Sequence, residues 1–147
     1  MPKIHIPSVE LIVDLHDRIV DQTGGASGIR SLDAIAGAWG RTESRKFYEP
    51  DMTVPAVAAT LGMSIAKAHG FADGNKRAAY GAMAMVLSMN GYALDASPEG
   101  AVEAIVGAAA GDGDTEKLQA WVTAHAAPDP IYQSLFEYDL NGPAVDT

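Results

Sequence analysis

Cysteine is absent from this chain of 147 residues, which excludes disulfides and thiolate metal sites and leaves no sign of an oxidising compartment. Positive charge is scarce: ten Lys and Arg stand against nineteen Asp and Glu, for a formal net charge of −9. A surface of that sign repels a phosphate backbone, so direct binding to nucleic acid is not expected. No apolar run approaches the roughly 20 residues that a membrane-spanning helix needs. No charged-then-apolar leader opens the chain, and the expected location is cytoplasmic, with no membrane partner. Strand signals are also few, and there is neither a repeat nor a low-complexity segment.

Helix signals dominate what is present. Apolar residues make up 48% of the chain, the mean hydropathy is +0.02 and alanine is frequent throughout, the composition of a helical protein with a core of its own. The expected fold class is all-α, six helices with short connections, in one domain over residues 1–127 followed by a tail over 128–147. Ser8 can cap VELIVDLHDRIVDQ, whose Val9, Ile12, Val13, Leu15, Ile19 and Val20 share a face, and Gly24-Gly25 stops it. Ser31 can cap LDAIAGAWGR, whereas TESRKFYEPDM, residues 42–52, lacks the helical period and reads as a loop or short hairpin. Thr53 can cap a third helix with Pro55 in its first turn. A fourth ends at Asn90-Gly91, Ser97-Pro98 opens a fifth, and Asp114 starts a sixth, closed by Pro128. In the tail, Ile131, Leu135 and Tyr138 recur at helical spacing; the segment can cover a groove, pack on its own domain or stay disordered.

The chemistry concentrates in HGFADGNKR, residues 69–77, which runs directly into AAYGAMAMVL. That apolar run, Ala78 to Leu87, is expected to form a central helix surrounded by the others. The first turn of a helix presents backbone N–H groups without intrahelical partners, and the dipole adds partial positive charge, so an anion is its natural guest. Gly74 removes the side chain that would keep a phosphate from the backbone. Asn75 can add an amide donor, and Arg77 a planar fork suited to phosphate oxygens. Asp73 beside an anion makes sense if magnesium lies between them, since that ion commonly takes one or two carboxylates plus substrate phosphates. His69, at the end of the preceding helix, is the one residue type in the cluster that exchanges a proton near neutral pH. A base, a metal ligand and an anion cradle around one point amount to machinery for phosphate transfer.

Taken singly, each residue has an ordinary reading as well. His69 can be a satisfied helix end, Asp73 an N-cap, Gly70 and Gly74 turn residues, and Phe71 an anchor that tucks the loop into the core. Lys76 and Arg77 can be a solvated first turn, although the dipole disfavours cations there and their placement fits an expected anion. Other motifs fail on spacing. GFADGNKR lacks the glycine gap and the Lys-Ser/Thr ending of a P-loop, and GDGD at 111–114 lacks the ligand ladder of a calcium loop and reads as a turn. His5, His16 and His125 stand singly, without metal-ligand spacing, and Asp14 with Asp17 reads as solvated surface.

HGFADGNKR resembles the Fic motif, HxFx(D/E)(A/G)N(G/K)R, and its lysine form resembles the Doc branch, the death-on-curing toxins. The resemblance extends to the helix order, to GGASGIRSLDAI after the first helix, to the loop before the third and to the NGY after the fourth. It implies an all-helical fold with the motif between a central helix pair. It further implies that His69 deprotonates a hydroxyl of a target protein, that Asp73 holds magnesium, that Gly74, Asn75, Lys76 and Arg77 bind the phosphates of ATP, and that Phe71 is buried. The segment 42–52 is where the family places a flap for the target, which Phe47 and Tyr48 would flank.

Lys76 is the branch point within the family. Fic proteins that transfer AMP usually carry glycine there, whereas in Doc-like proteins the lysine goes with an inverted nucleotide whose γ-phosphate faces the histidine. The resemblance therefore implies a kinase acting on a Ser or Thr of a protein such as translation elongation factor Tu, with arrest of translation. Gly74 departs from the alanine common in Doc and is shared with AMP transferases, so AMP transfer is the alternative activity, and a binding module without turnover is a third class. No Ser or Thr is followed four residues later by Glu, so the inhibitory (S/T)xxxE(G/N) helix of many Fic proteins is absent. Inhibition in trans by a small antitoxin protein is the implied alternative.

Overall fold

Residues 3–131 are described by a computed structural model of the chain. Its elements are α1 (Val9–Thr23), α2 (Leu32–Tyr48), α3 (Val54–Ala68), α4 (Asn75–Met89), β1 (Tyr92–Leu94), α5 (Pro98–Ala109), α6 (Thr115–His125) and β2 (Ala126–Pro128). The all-α expectation is met, with six helices as anticipated. Five of them begin at a side chain that closes the first turn: Ser8, Ser31, Thr53, Ser97 and Asp114 each accept a hydrogen bond from the backbone N–H three residues on. Each such cap contributes about 1 kcal/mol.

The helix after the motif is buried over much of its surface, and the helix before it more so. On α3, every residue from Ala56 to Met63 is buried, together with Ile65 and Ala66. This helix packs against α2, α4, α5 and α6. Small side chains make its approach to α4 close: a Cβ on Gly62 would lie 2.5 Å from Met83 Cγ, so alanine there would overpack the pair at about 1–3 kcal/mol. Ile12, Ile35, Leu61, Met83, Leu87, Ile105 and Leu118 join one apolar core drawn from all six helices.

One expected element is corrected. The stretch 42–52 is not a loop or a hairpin; α2 continues through Tyr48. Its second half is fastened by contacts that periodicity cannot register. Thr42 is buried and donates to the Ala38 carbonyl, Arg45 donates to Thr60 Oγ1 on α3 at 2.6 Å, and Lys46 donates to the Ile4 carbonyl at 2.6 Å. Phe47 and Tyr48 therefore stand on the last turn of α2, exposed and edge to face at 5.2 Å.

The strands β1 and β2, three residues each, pair antiparallel with Ala93 opposite Ala127. They tie the chain after α4 to the chain after α6. Of the expected tail over 128–147, residues 132–147, including Leu135 and Tyr138, lie outside the described residues.

Candidate active site at the junction of α3 and α4

The helix α3 ends on His69, whose φ of 50° and ψ of 41° place it in the left-handed region. Among the described residues it is the one non-glycine with positive φ. Glycine usually fills such a helix end, and another residue there costs about 1–2 kcal/mol. The His69 side chain is exposed, so the strain serves no packing need.

The loop after it is held by the segment that follows α1. The Gly70 carbonyl accepts from Arg30 N at 2.7 Å and Ser31 N at 2.9 Å, and Ala72 N donates to the Gly28 carbonyl at 3.2 Å. Ile29 and Phe71 form an antiparallel bridge between these contacts. Gly70 must be glycine, because a Cβ would come within 2.4 Å of Ile35. Phe71 is the buried anchor expected of it, and its ring stacks on His16 at 3.8 Å.

Asp73 is exposed and does not cap α4. Its Oδ1 accepts from Gly74 N at 2.8 Å, and its Oδ2 from Ala26 N at 3.4 Å. The second contact needs Gly25, since a Cβ there would lie 2.7 Å from Asp73 Oδ2. Two backbone amides thus orient an accessible carboxylate. Among the described residues no three His, Asp or Glu side chains gather to form a protein cage for a metal. A single exposed carboxylate fits magnesium, which takes its other ligands from phosphates and water.

Asn75 is committed on both faces of its amide: Phe71 N donates to Oδ1 at 3.0 Å, and Nδ2 donates to the Phe71 carbonyl at 3.1 Å. It therefore builds the loop, and what it offers at the helix mouth is its backbone N–H together with the second Nδ2 hydrogen. The N-cap of α4 is Gly74, at φ 74°, with no side-chain hydrogen bond to the first turn. The first helical bond runs from Ala78 N to the Gly74 carbonyl at 2.9 Å, so the N–H groups of Asn75, Lys76 and Arg77 have no partner within α4. Lys76 and Arg77 are both exposed and enter no ion pair among the described residues. Free donors, a positive dipole end and two cations converge here on a chain whose overall charge is −9.

The sequence singled out His69, Asp73, Gly74, Asn75, Lys76 and Arg77, and all six stand on this junction. It did not single out His16, which is buried on α1 with Nε2 at 2.6 Å from the Asp73 carbonyl oxygen. The signal was available, because His16 shares the stripe of Ile12 and Val20 at four-residue spacing, and a polar residue on a buried face must find a partner. The other reserved features behave as ordinary structure. His125 bonds the Trp121 carbonyl through Nδ1 and stacks on its ring, and Asp114 of GDGD is the cap of α6.

Comparison with known proteins bears on the same residues. The model of the Fic/DOC family matches residues 6–87, from just before α1 through most of α4. The protein named Protein kinase doc, from Escherichia phage P1, is 36% identical over 108 residues, which cover 74% of this chain and 84% of that protein.

Proposed function

This chain belongs to the Fic/DOC family, and from that premise we propose that it is a Doc-type protein kinase, transferring the γ-phosphate of ATP to a Ser or Thr hydroxyl of a target protein. The observation that carries the reading is the mouth of α4, uncapped and flanked by Lys76 and Arg77 one short loop away from the exposed His69. The similarity to a protein named as a kinase supports it.

In this reading His69 takes the proton of the target hydroxyl as its oxygen attacks the γ-phosphorus. The bond from that phosphorus to the β–γ bridging oxygen breaks, and ADP leaves. The N–H groups at the start of α4, the backbone of Gly74 and Asn75 and the side chains of Lys76 and Arg77 hold the phosphates and meet the charge that builds on them. Magnesium, held by Asp73, supplies further neutralisation of that charge when bound. Residues 1–127 form the transfer domain, and 128–147 a tail whose first residue, Pro128, is tied to the domain by its pairing with Tyr92. The target is translation elongation factor Tu, the consequence is arrested translation in the cytoplasm, and an antitoxin protein covers the site in trans.

Gly74 favours a second reading, transfer of AMP, because that residue is the one AMP transferases use. ATP labelled separately at the α and γ positions, with magnesium and candidate target, separates the possibilities. Label from the γ position alone is the expected result; label from the α position establishes AMP transfer, and none from either leaves a binding module.

A further inference from the structure

Among the described residues, His16 Nδ1 is a fully buried side-chain nitrogen without a hydrogen bond. Asp17 Oδ1 lies 3.8 Å away, beyond hydrogen-bonding reach. An apolar side chain at position 16 would fill the space beside Ile12, Val20 and Phe71 and leave no such orphan, so packing does not account for a histidine here.

The other ring nitrogen does. Nε2 lies 2.6 Å from the Asp73 carbonyl oxygen, which can only accept, so Nε2 carries the hydrogen and donates it. That carbonyl and the Gly74 N–H are opposite ends of one trans peptide group. Holding the oxygen against α1 turns the N–H the other way, where it donates to Asp73 Oδ1 at 2.8 Å. Gly74 sits at φ 74°, ψ 23°, and a peptide preceding such a glycine can flip between turn forms at little steric cost. A flip would release the Asp73 carboxylate and put the negative end of a carbonyl where the N–H now points.

We propose that His16 is a positioning residue of the transfer site: its Nε2–H locks the Asp73–Gly74 peptide, so that Asp73 presents its carboxylate to magnesium and the start of α4 presents donors only. This rests on the transfer reading above and adds a residue from α1 that lies outside the nine-residue motif. The lock works from behind the loop, through the backbone, with no contact to nucleotide or target.

The test uses the full-length protein and two substitutions. His16→Phe keeps a ring against Phe71 and drops the donor, while His16→Gln drops the ring and keeps a donor. In nucleotide-free protein labelled with 15N-glycine, His16→Phe should shift the Gly74 amide resonance and speed its hydrogen exchange about tenfold without lowering Tm, and His16→Gln should restore much of both. The magnesium concentration for half-maximal ATP binding, followed by calorimetry, should rise about tenfold in His16→Phe and fall back in His16→Gln, the scale usual for a group that orients a metal ligand. A folded His16→Phe variant with a wild-type Gly74 amide overturns the proposal, and so does wild-type magnesium dependence in that variant. If His16→Phe does not fold, His16→Met, which fills the site without a donor, takes its place under the same criteria. Should the wild type transfer no label from ATP, the kinase reading fails, and the Gly74 amide in nucleotide-free protein still decides what His16 does.

Discussion

Two junctions in this molecule use the same residue types to opposite ends. Between α5 and α6 the chain turns through Gly111 and Gly113, both at positive φ, and Asp114 then accepts from Lys117 N at 3.0 Å to cap α6. The cation near that turn, Lys67, donates to the Gly111 carbonyl at 3.2 Å. Negative charge meets a helix start and an ammonium meets a carbonyl, so the junction satisfies itself. Between α3 and α4 there is again an aspartate, a glycine at positive φ and cations. Here Asp73 bonds the Gly74 and Ala26 amides, the glycine sits at the cap, and Lys76 and Arg77 stand where the dipole disfavours them. The difference teaches where to look for chemistry: a helix start that leaves its own N–H groups without a capping side chain and sets two cations beside them is suited to an anion.

The contrast can be broken most sharply at His69. His69→Ala should lower transfer of the γ-phosphate by about 10²–10⁴-fold, the usual contribution of a general base, with a circular dichroism spectrum like that of wild type. Undiminished labelling of the target by that variant would remove the histidine from the mechanism. Next in size is Lys76→Gly, which recreates the HxFxDGNGR pattern of AMP transferases. It should cost on the order of 3 kcal/mol of transition-state stabilisation, roughly a hundredfold in rate. Mass spectrometry of the target reports it, as a phosphate adduct that falls sharply; an AMP adduct made by the wild-type protein would reverse the order of the two readings.

The self-satisfied junction should respond in stability alone. Asp114→Ala removes a cap and should cost about 1 kcal/mol in urea unfolding, with transfer unchanged. A loss of transfer comparable to that of Lys76→Gly would mean that the two junctions are not independent. A second effect on stability, of the same size, sharpens the point from the other side. His69→Gly relieves the left-handed backbone and should unfold at higher urea than His69→Ala, by about 1 kcal/mol, while being equally inactive. Equal stability of the two would show that the φ of 50° is unstrained.

Legibility in the sequence followed the range of the interactions. The starts of α1, α2, α3, α5 and α6 were readable because Ser8, Ser31, Thr53, Ser97 and Asp114 bond a backbone N–H only three residues away. The second half of α2 was not readable, because what holds Arg45 and Lys46 in helix are Thr60 on another element and the Ile4 carbonyl near the start of the chain. The pairing of β1 with β2 escaped for the same reason: three-residue strands carry almost no pattern, and Tyr92 and Pro128 meet only when α5 and α6 have folded between them.

The candidate site divides along the same line. Its residue types, their spacing in HGFADGNKR and their family resemblance are properties of nine consecutive positions. The sequence by itself therefore determined that a histidine, a carboxylate and two cations would share one helix junction. Tertiary structure decided how they are presented. Asp73 could be a cap or an accessible ligand, and it is turned outward because Ala26 N and Gly74 N hold its two oxygens, with Gly25 leaving the room. Asn75 could point its amide at a ligand, and it is clamped to Phe71 instead. The Asp73 carbonyl is held against α1 by His16 Nε2 at 2.6 Å, a contact made from a segment distant in sequence. Local sequence sets which groups are near one another, because chain connectivity keeps them there. Their directions depend on hydrogen bonds from segments distant in sequence, and those exist only after the chain has closed on itself.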